Sequence, residues 1–100
     1  MFRGPDESHI WYARRNLAYG DSYVNDALYE MSVKPPSKPF RHCKQAYYAL
    51  TAAMVTLRDA RVNIDNIEHD PKTARKLKKE LDKLQDKVNR ASNAFVRDCL

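Results

Sequence analysis

Residues 69–95 read HDPKTARKLKKELDKLQDKVNRASNAF and carry the strongest fold signal in the chain. Apolar residues recur there in alternating steps of three and four, the spacing of a buried helical stripe. Asp70 before Pro71 is a typical helix start, because aspartate caps free N–H groups and proline suits the first helical position. We therefore predict a third helix from residue 71 to near the C-terminus. Its stripe comprises Ala74, Leu77, Leu81, Leu84, Val88, Ala91 and Phe95.

The preceding segment carries a matching stripe, and we predict a second helix ending near residue 68. That stripe comprises Phe40, Cys43, Tyr47, Leu50, Met54, Leu57 and Ile64. If the two helices fold back on each other, Leu50 faces Val88 and Leu57 faces Leu81. Six such pairs have residue numbers that sum to 138, so one register satisfies them all. The pattern predicts an antiparallel, coiled-coil-like hairpin over about residues 38–99.

A first helix is predicted over about residues 5–32, beginning in the segment Gly4 to Glu7. Its apolar stripe comprises Ile10, Ala13, Leu17, Val24, Leu28 and Met31. Gly20 occupies the position of a stripe residue, which leaves two alternatives. Either one helix continues with the glycine at a close contact, or the segment breaks into two short helices. The stripe keeps its phase across Gly20, and this favours continuity.

The predicted fold is all-α: a three-helix bundle in a single domain, residues 1–100, dominated by the hairpin of helices two and three. A proline-rich linker at 33–39 separates the first helix from that hairpin, with Ser37 as a candidate cap and Pro39 in the next first turn. Small residues beside the second stripe would let the first helix approach closely. They recur every seven residues, at Ala46, Ala53 and Ala60, and Ile67 continues the series.

Composition leads us to expect an intracellular, cytoplasmic setting, since neither a membrane-spanning run nor a charged leader is evident. Cys43 and Cys99 fall at the same end of the predicted hairpin. A disulfide between them is geometrically feasible, but reduced, buried cysteines are the commoner state inside cells, and we favour that state.

No constellation of residues nominates catalysis. His9, His42 and His69 are far apart, without a second ligand at metal-site spacing, and two glycines cannot build a phosphate-binding loop. We therefore predict no metal, no cofactor, no small-molecule substrate and no enzymatic activity.

The run from Ala46 to Leu50, with Arg41 before it, resembles the tyrosine-containing helix of HEPN domains, small helical modules that include ribonucleases. The catalytic signature of that family is an arginine followed four to six residues later by histidine on a late helix. The sequence has no histidine after His69, so the resemblance implies no activity here.

Two features point to binding instead. Trp11, Tyr12, Arg15, Tyr19 and Tyr23 fall opposite the apolar stripe of the first helix, and these residue types dominate protein–protein hot spots. We predict that they form an interface, with a protein partner or through self-association. The protein would then be a non-catalytic adaptor, inhibitor or assembly subunit. The alternative arrangement, with the helix broken at Gly20, would turn some of these rings into the core.

Basic residues near the starts of helices two and three suggest an alternative function. Their charge opposes the helix dipole, and basic side chains beside free N–H groups attract anions. We therefore keep nucleic-acid binding as the alternative, although acidic residues on the third helix interrupt a continuous basic stripe. The candidate contacts are Lys38, Arg41, Lys44, Lys72, Arg75, Lys76 and Lys79.

Overall fold

The computed structural model describes residues 4–32 and 40–100, and it describes the side chains from residue 41 onward in the second range. Three helices pack into a bundle: α1 (Glu7–Met31), α2 (Phe40–Asp65) and α3 (Pro71–Cys99). The predicted all-α, three-helix fold is confirmed. The predicted linker at 33–39, including the proposed Ser37 cap, lies outside the described residues.

The helix ends follow local capping chemistry. Asp70 caps α3, because its carboxylate accepts a hydrogen bond of 3.1 Å from the backbone N–H of Thr73. Hydrogen bonding from the side chain of Thr73, and then from its backbone, lowers the pKa of Asp70. The prediction for the start of α3 is confirmed, whereas α2 ends at Asp65, three residues before the predicted end.

α1 is one continuous helix through Gly20, as the preserved phase predicts. Gly20 is buried, and a Cβ atom there would lie 3.1 Å from Thr56 Oγ1 and 3.2 Å from Cδ2 of both Leu57 and Leu84. The glycine therefore allows α1 to approach both other helices closely. One predicted stripe residue, Leu28, is 38% exposed, and Ala27 is buried in its place.

The buried side of α2 differs from the predicted one. Tyr47 and Met54 are about half exposed, at 54% and 49%. The interior of α2 instead alternates small and large residues: Ala46, Leu50, Ala53, Leu57, Ala60 and Ile64. Both stripes of α2 have three-four spacing, so spacing alone does not select between them, and packing against α1 selects the one that contains the alanines.

The closest helix pair is α1 with α2 rather than α2 with α3. Small buried residues explain this, because Ala46, Ala53 and Ala60 on α2 are fully buried, as are Ala13 and Ala27 on α1. Short side chains let the two backbones come together along their length. The predicted dominance of the α2–α3 hairpin is therefore wrong, although the predicted docking of α1 on the alanines agrees with their burial.

The register of α2 against α3 is also displaced. Cys43 is joined by a disulfide to Cys99, with their Cα atoms 5.6 Å apart, and the centre of the Tyr47 ring lies 6.2 Å from that of Phe95. The residue numbers of each pair sum to 142 rather than to the predicted 138. α3 is therefore displaced along α2 by four residues, or about one helical turn, from the predicted register. The disulfide in the structure departs from the reduced state favoured from the sequence, because the shifted register brings the two cysteines together.

Polar contacts fix α1 against the other helices. Asp6 is 6% exposed, and its carboxylate accepts hydrogen bonds from the backbone N–H groups of Glu68, at 2.9 Å, and His69, at 2.7 Å. The Glu68 hydrogen bond is the main reason that the pKa of Asp6 is lowered. These bonds attach the start of α1 to the α2–α3 turn. At mid-length, Lys87 Nζ donates to Asp21 Oδ1 at 2.9 Å.

Candidate protein interface

α1 carries a set of exposed aromatic side chains on the side away from the core. Trp11 is 45% exposed, and Tyr12 and Tyr19 are each 46% exposed. These rings and the exposed Arg15 project from one helix, because all of them lie in the first half of α1. We call Trp11, Tyr12, Arg15 and Tyr19 the aromatic face.

Arg15 lies between two rings of the aromatic face. Its guanidinium carbon is 5.2 Å from the centre of the Trp11 ring and 5.3 Å from the centre of the Tyr19 ring. These distances allow cation–π attraction, which restrains the long arginine side chain. The Trp11 and Tyr12 rings also meet edge to face, with centroids 4.8 Å apart. These contacts therefore restrain the side chains of the aromatic face within the chain itself.

Tyr23 differs from the other predicted interface residues. It is half-buried and packs against the hydrophobic core. It also lines a shallow groove between α1 and α2, together with Tyr48 and Ala52. The sequence prediction therefore groups two environments: four residues that are exposed on α1, and one that supports the edge of the α1–α2 contact.

α2 adds exposed residues that the sequence prediction missed. Tyr48 is 53% exposed, Val55 43% and Val62 55%. Their spacing of seven residues places them on one outer stripe of α2, and the groove shared by Tyr23 and Tyr48 joins that stripe to α1. The seven-residue spacing was the signal that could have identified them. The exposed apolar surface thus extends across α1 and α2.

The basic residues do not converge. Arg41 and Lys44 lie at the end of the bundle where Cys43 is bonded to Cys99. Lys72, Arg75, Lys76 and Lys79 lie in the first turns of α3, at the opposite end of a bundle 53 Å long. Lys38 lies outside the described residues. The predicted anion contacts therefore form two separate clusters.

No group of three potential metal-ligating side chains occurs among residues 4–32 and 41–100. His42 Nδ1 contacts Glu30 Oε2 at 2.5 Å, and His9 Nδ1 lies 3.4 Å from Asn63 Oδ1, so both histidines join α1 to α2. None of the helices, as far as the structure describes them, has the length and apolar character to cross a membrane.

Comparison with known protein families, with curated proteins and with solved structures gives no match for this chain.

Proposed function

We propose that this protein is a non-catalytic binding protein that docks on another protein surface through the aromatic face of α1. An adaptor, an inhibitor and an assembly subunit all fit this description. The observation that supports the proposal is the combination of exposure and order, because Trp11, Arg15 and Tyr19 are accessible to solvent yet already stacked on one another.

The distribution of exposed apolar side chains supports the same surface. Among the described residues, twelve large hydrophobic side chains are exposed, and ten of these lie on α1 or α2. On α3 itself only Val96 belongs to this set. Single exposed apolar residues are ordinary in proteins, and Tyr47, beside Phe95, is one of the ten that lies away from α1. The group that includes Trp11, Tyr19 and Tyr48 on the outer sides of α1 and α2 is the part that supports an interaction site.

The residue types also suit binding. Each large ring removed from water at a partner surface contributes on the order of 1–3 kcal/mol. Tyrosine and tryptophan lose little side-chain entropy on binding because they have few rotatable bonds. The stacking of Arg15 reduces its entropic cost as well, since part of its freedom is lost before binding.

Nucleic-acid binding is the second candidate and has less support. It would use the basic cluster at the start of α3, where Lys76 and Lys79 are exposed. Phosphate contacts would make the binding fall steeply with salt, and Lys76→Glu with Lys79→Glu would abolish it without unfolding the chain. The second basic cluster lies too far away to join the same site, because it is at the other end of the bundle.

We propose the cytoplasm as the location, where glutathione would reduce the disulfide that the structure shows between Cys43 and Cys99. Reduction would not dismantle the aromatic face, because the disulfide joins α2 to α3 and the face lies on α1. Thiol trapping of the protein in its native cell tests the location: labelled cysteines support it, and an intact disulfide contradicts it.

Site-specific photo-crosslinking tests the proposed surface and does not require the partner to be identified first. A photoreactive amino acid replaces Tyr19 in one variant and Tyr47 in a matched control. Both tyrosines are exposed on helices, but Tyr47 lies beside Phe95 and away from α1. We expect a discrete protein adduct from position 19 and little or none from position 47. No adduct at position 19, or equal adducts at both positions, contradicts the proposal.

A further inference from the structure

α1 carries a second three-four stripe on its outer side. Its residues are spaced alternately four and three positions apart from the first turns of α1 to the last, which is the spacing of the buried stripe. All of them are exposed except Ser8, which is half-buried. The outer stripe comprises Ser8, Tyr12, Arg15, Tyr19, Ser22, Asp26 and Tyr29.

The outer stripe contains one basic and one acidic residue. Arg15 and Asp26 are eleven residues apart, about three helical turns, so they project in nearly the same direction. Within residues 4–32 and 41–100, neither makes an ion pair. The neighbouring acids of α1 are engaged with other helices, since Asp21 pairs with Lys87 and Glu30 contacts His42.

This arrangement is complementary to itself under a two-fold rotation. If α1 packs antiparallel against α1 of a second copy, residues whose numbers sum to 41 face each other. Arg15 then faces Asp26 of the second copy, and Tyr12 faces Tyr29 of the second copy. The Tyr19 ring lies against the small Ser22. Each contact occurs twice, as a two-fold interface requires.

We infer that the partner of the aromatic face is a second copy of this chain, docked antiparallel across α1 in this register. The inference rests on the proposed function and names its partner. A parallel pairing is disfavoured because it would place Arg15 against Arg15 and Asp26 against Asp26. Unlike charges meet only in the antiparallel arrangement of the stripe.

The available area is sufficient for a dimer. α1 has 25 residues and is therefore about 38 Å long. With the adjoining stripe of α2, the surface is about 20 Å wide, which gives on the order of 750 Å² per copy. Stable interfaces bury about 800 Å² per partner. Tyr48 and Val55, both exposed on the α2 stripe, would supply the flank of the contact.

Charge reversal tests the register directly. Arg15→Glu alone sets a second carboxylate against Asp26, and Asp26→Arg alone sets a second guanidinium against Arg15. Each variant should therefore dimerise at least tenfold more weakly than the wild type. An equimolar mixture of the two variants forms a heterodimer with two charge contacts. In one contact the introduced glutamate meets the introduced arginine, and in the other the native Arg15 meets the native Asp26. We expect the affinity of this heterodimer to be within about threefold of the wild type.

The matched control is Lys79→Glu, an exposed charge reversal on α3 that should dimerise like the wild type. Sedimentation equilibrium over a range of concentrations measures all of these species, and circular dichroism checks that each variant is folded. Monomeric wild-type protein at millimolar concentration overturns the dimer. Folded single variants that associate normally, or a mixture that stays monomeric, overturn it as well.

The crosslinking experiment separates the two proposals. An adduct at position 19 with twice the mass of the chain supports the dimer. An adduct of another mass supports the proposed function but overturns the dimer, and no adduct overturns both.

Discussion

The outer surfaces of α1 and α3 differ sharply, although both helices bury one apolar stripe in the same core. On α1 the outward side carries the aromatic face, whereas on α3 it carries mainly lysine and acidic residues. The i,i+4 pair Arg90–Asp86 shows the character of the α3 surface: its side chains are more than two-thirds exposed, and such pairs contribute little to stability. The difference between the two surfaces is why we propose α1, rather than α3, as the helix that carries a protein interface.

Substitution in the buried stripe of α3 should have the largest effect on stability. Leu81 is fully buried, and Leu81→Ala removes its apolar contacts and leaves a cavity. We expect a loss of about 2–5 kcal/mol in the free energy of unfolding, measured by urea denaturation. Asp82→Ala, at the exposed neighbouring position, should change it by less than about 0.5 kcal/mol. Equal effects of the two substitutions would contradict the assignment of buried and exposed sides on α3.

Loss of the disulfide should have the next largest effect. The bond joins residues separated by 56 positions, and it restricts the unfolded chain. Cys99→Ser should therefore lower the free energy of unfolding by about 2–4 kcal/mol. Cys43→Ser should cost the same, and the double variant should cost no more than either single variant, because one bond is lost in every case. A melting temperature that does not respond to reductant would contradict this prediction.

Acid should weaken the attachment of α1 to the α2–α3 turn. The pKa of Asp6 is lowered below its ordinary value of 3.8, so the folded state favours the ionised carboxylate. The stabilisation from Asp6 is therefore present above pH 3.8 and is lost as the pH falls through the lower folded-state pKa. The pKa of Asp70 is lowered as well, so Asp70 also stabilises the fold less in acid. A substitution at position 6 keeps Asp70 in place and therefore separates the two contributions.

Melting temperatures of wild type and Asp6→Asn between about pH 2 and pH 7 isolate this effect. The wild type should be more stable near neutral pH, and the difference should shrink below about pH 4 as Asp6 becomes protonated. A difference that stays constant across this range would show that the hydrogen bonds of Asp6 do not depend on its charge.

The sequence predicts the helices and the interior of α3 well. Asp70–Pro71 identifies the start of α3, and its single apolar stripe leaves one way to bury the helix. The buried side of α2 is harder to predict, because two of its stripes have the required spacing. Which stripe is buried depends on the close approach of α1 at Ala53 and Gly20. The register and the disulfide depend on that choice, so they could not be derived from spacing.

The candidate site likewise has one part that the sequence predicts and one part that depends on how the helices pack. The apolar stripe through Ala13 and Leu17 was sufficient to place Trp11 and Tyr19 on the exposed side. The environment of Tyr23 and the contribution of Tyr48 depend on how α1 and α2 are rotated against each other. That rotation is a property of the packed pair and is not encoded in either helix alone.

The most direct test of the central claim compares stability with association for the double variant Arg15→Ala/Tyr19→Ala. Both side chains are exposed on α1, so the melting temperature should stay within about 2 °C of the wild type. Association, with a second copy or with a captured partner, should weaken at least tenfold. Tyr47→Ala is the control and should leave association unchanged. A double variant that loses stability but keeps its binding would contradict the account, because these side chains would then belong to the core.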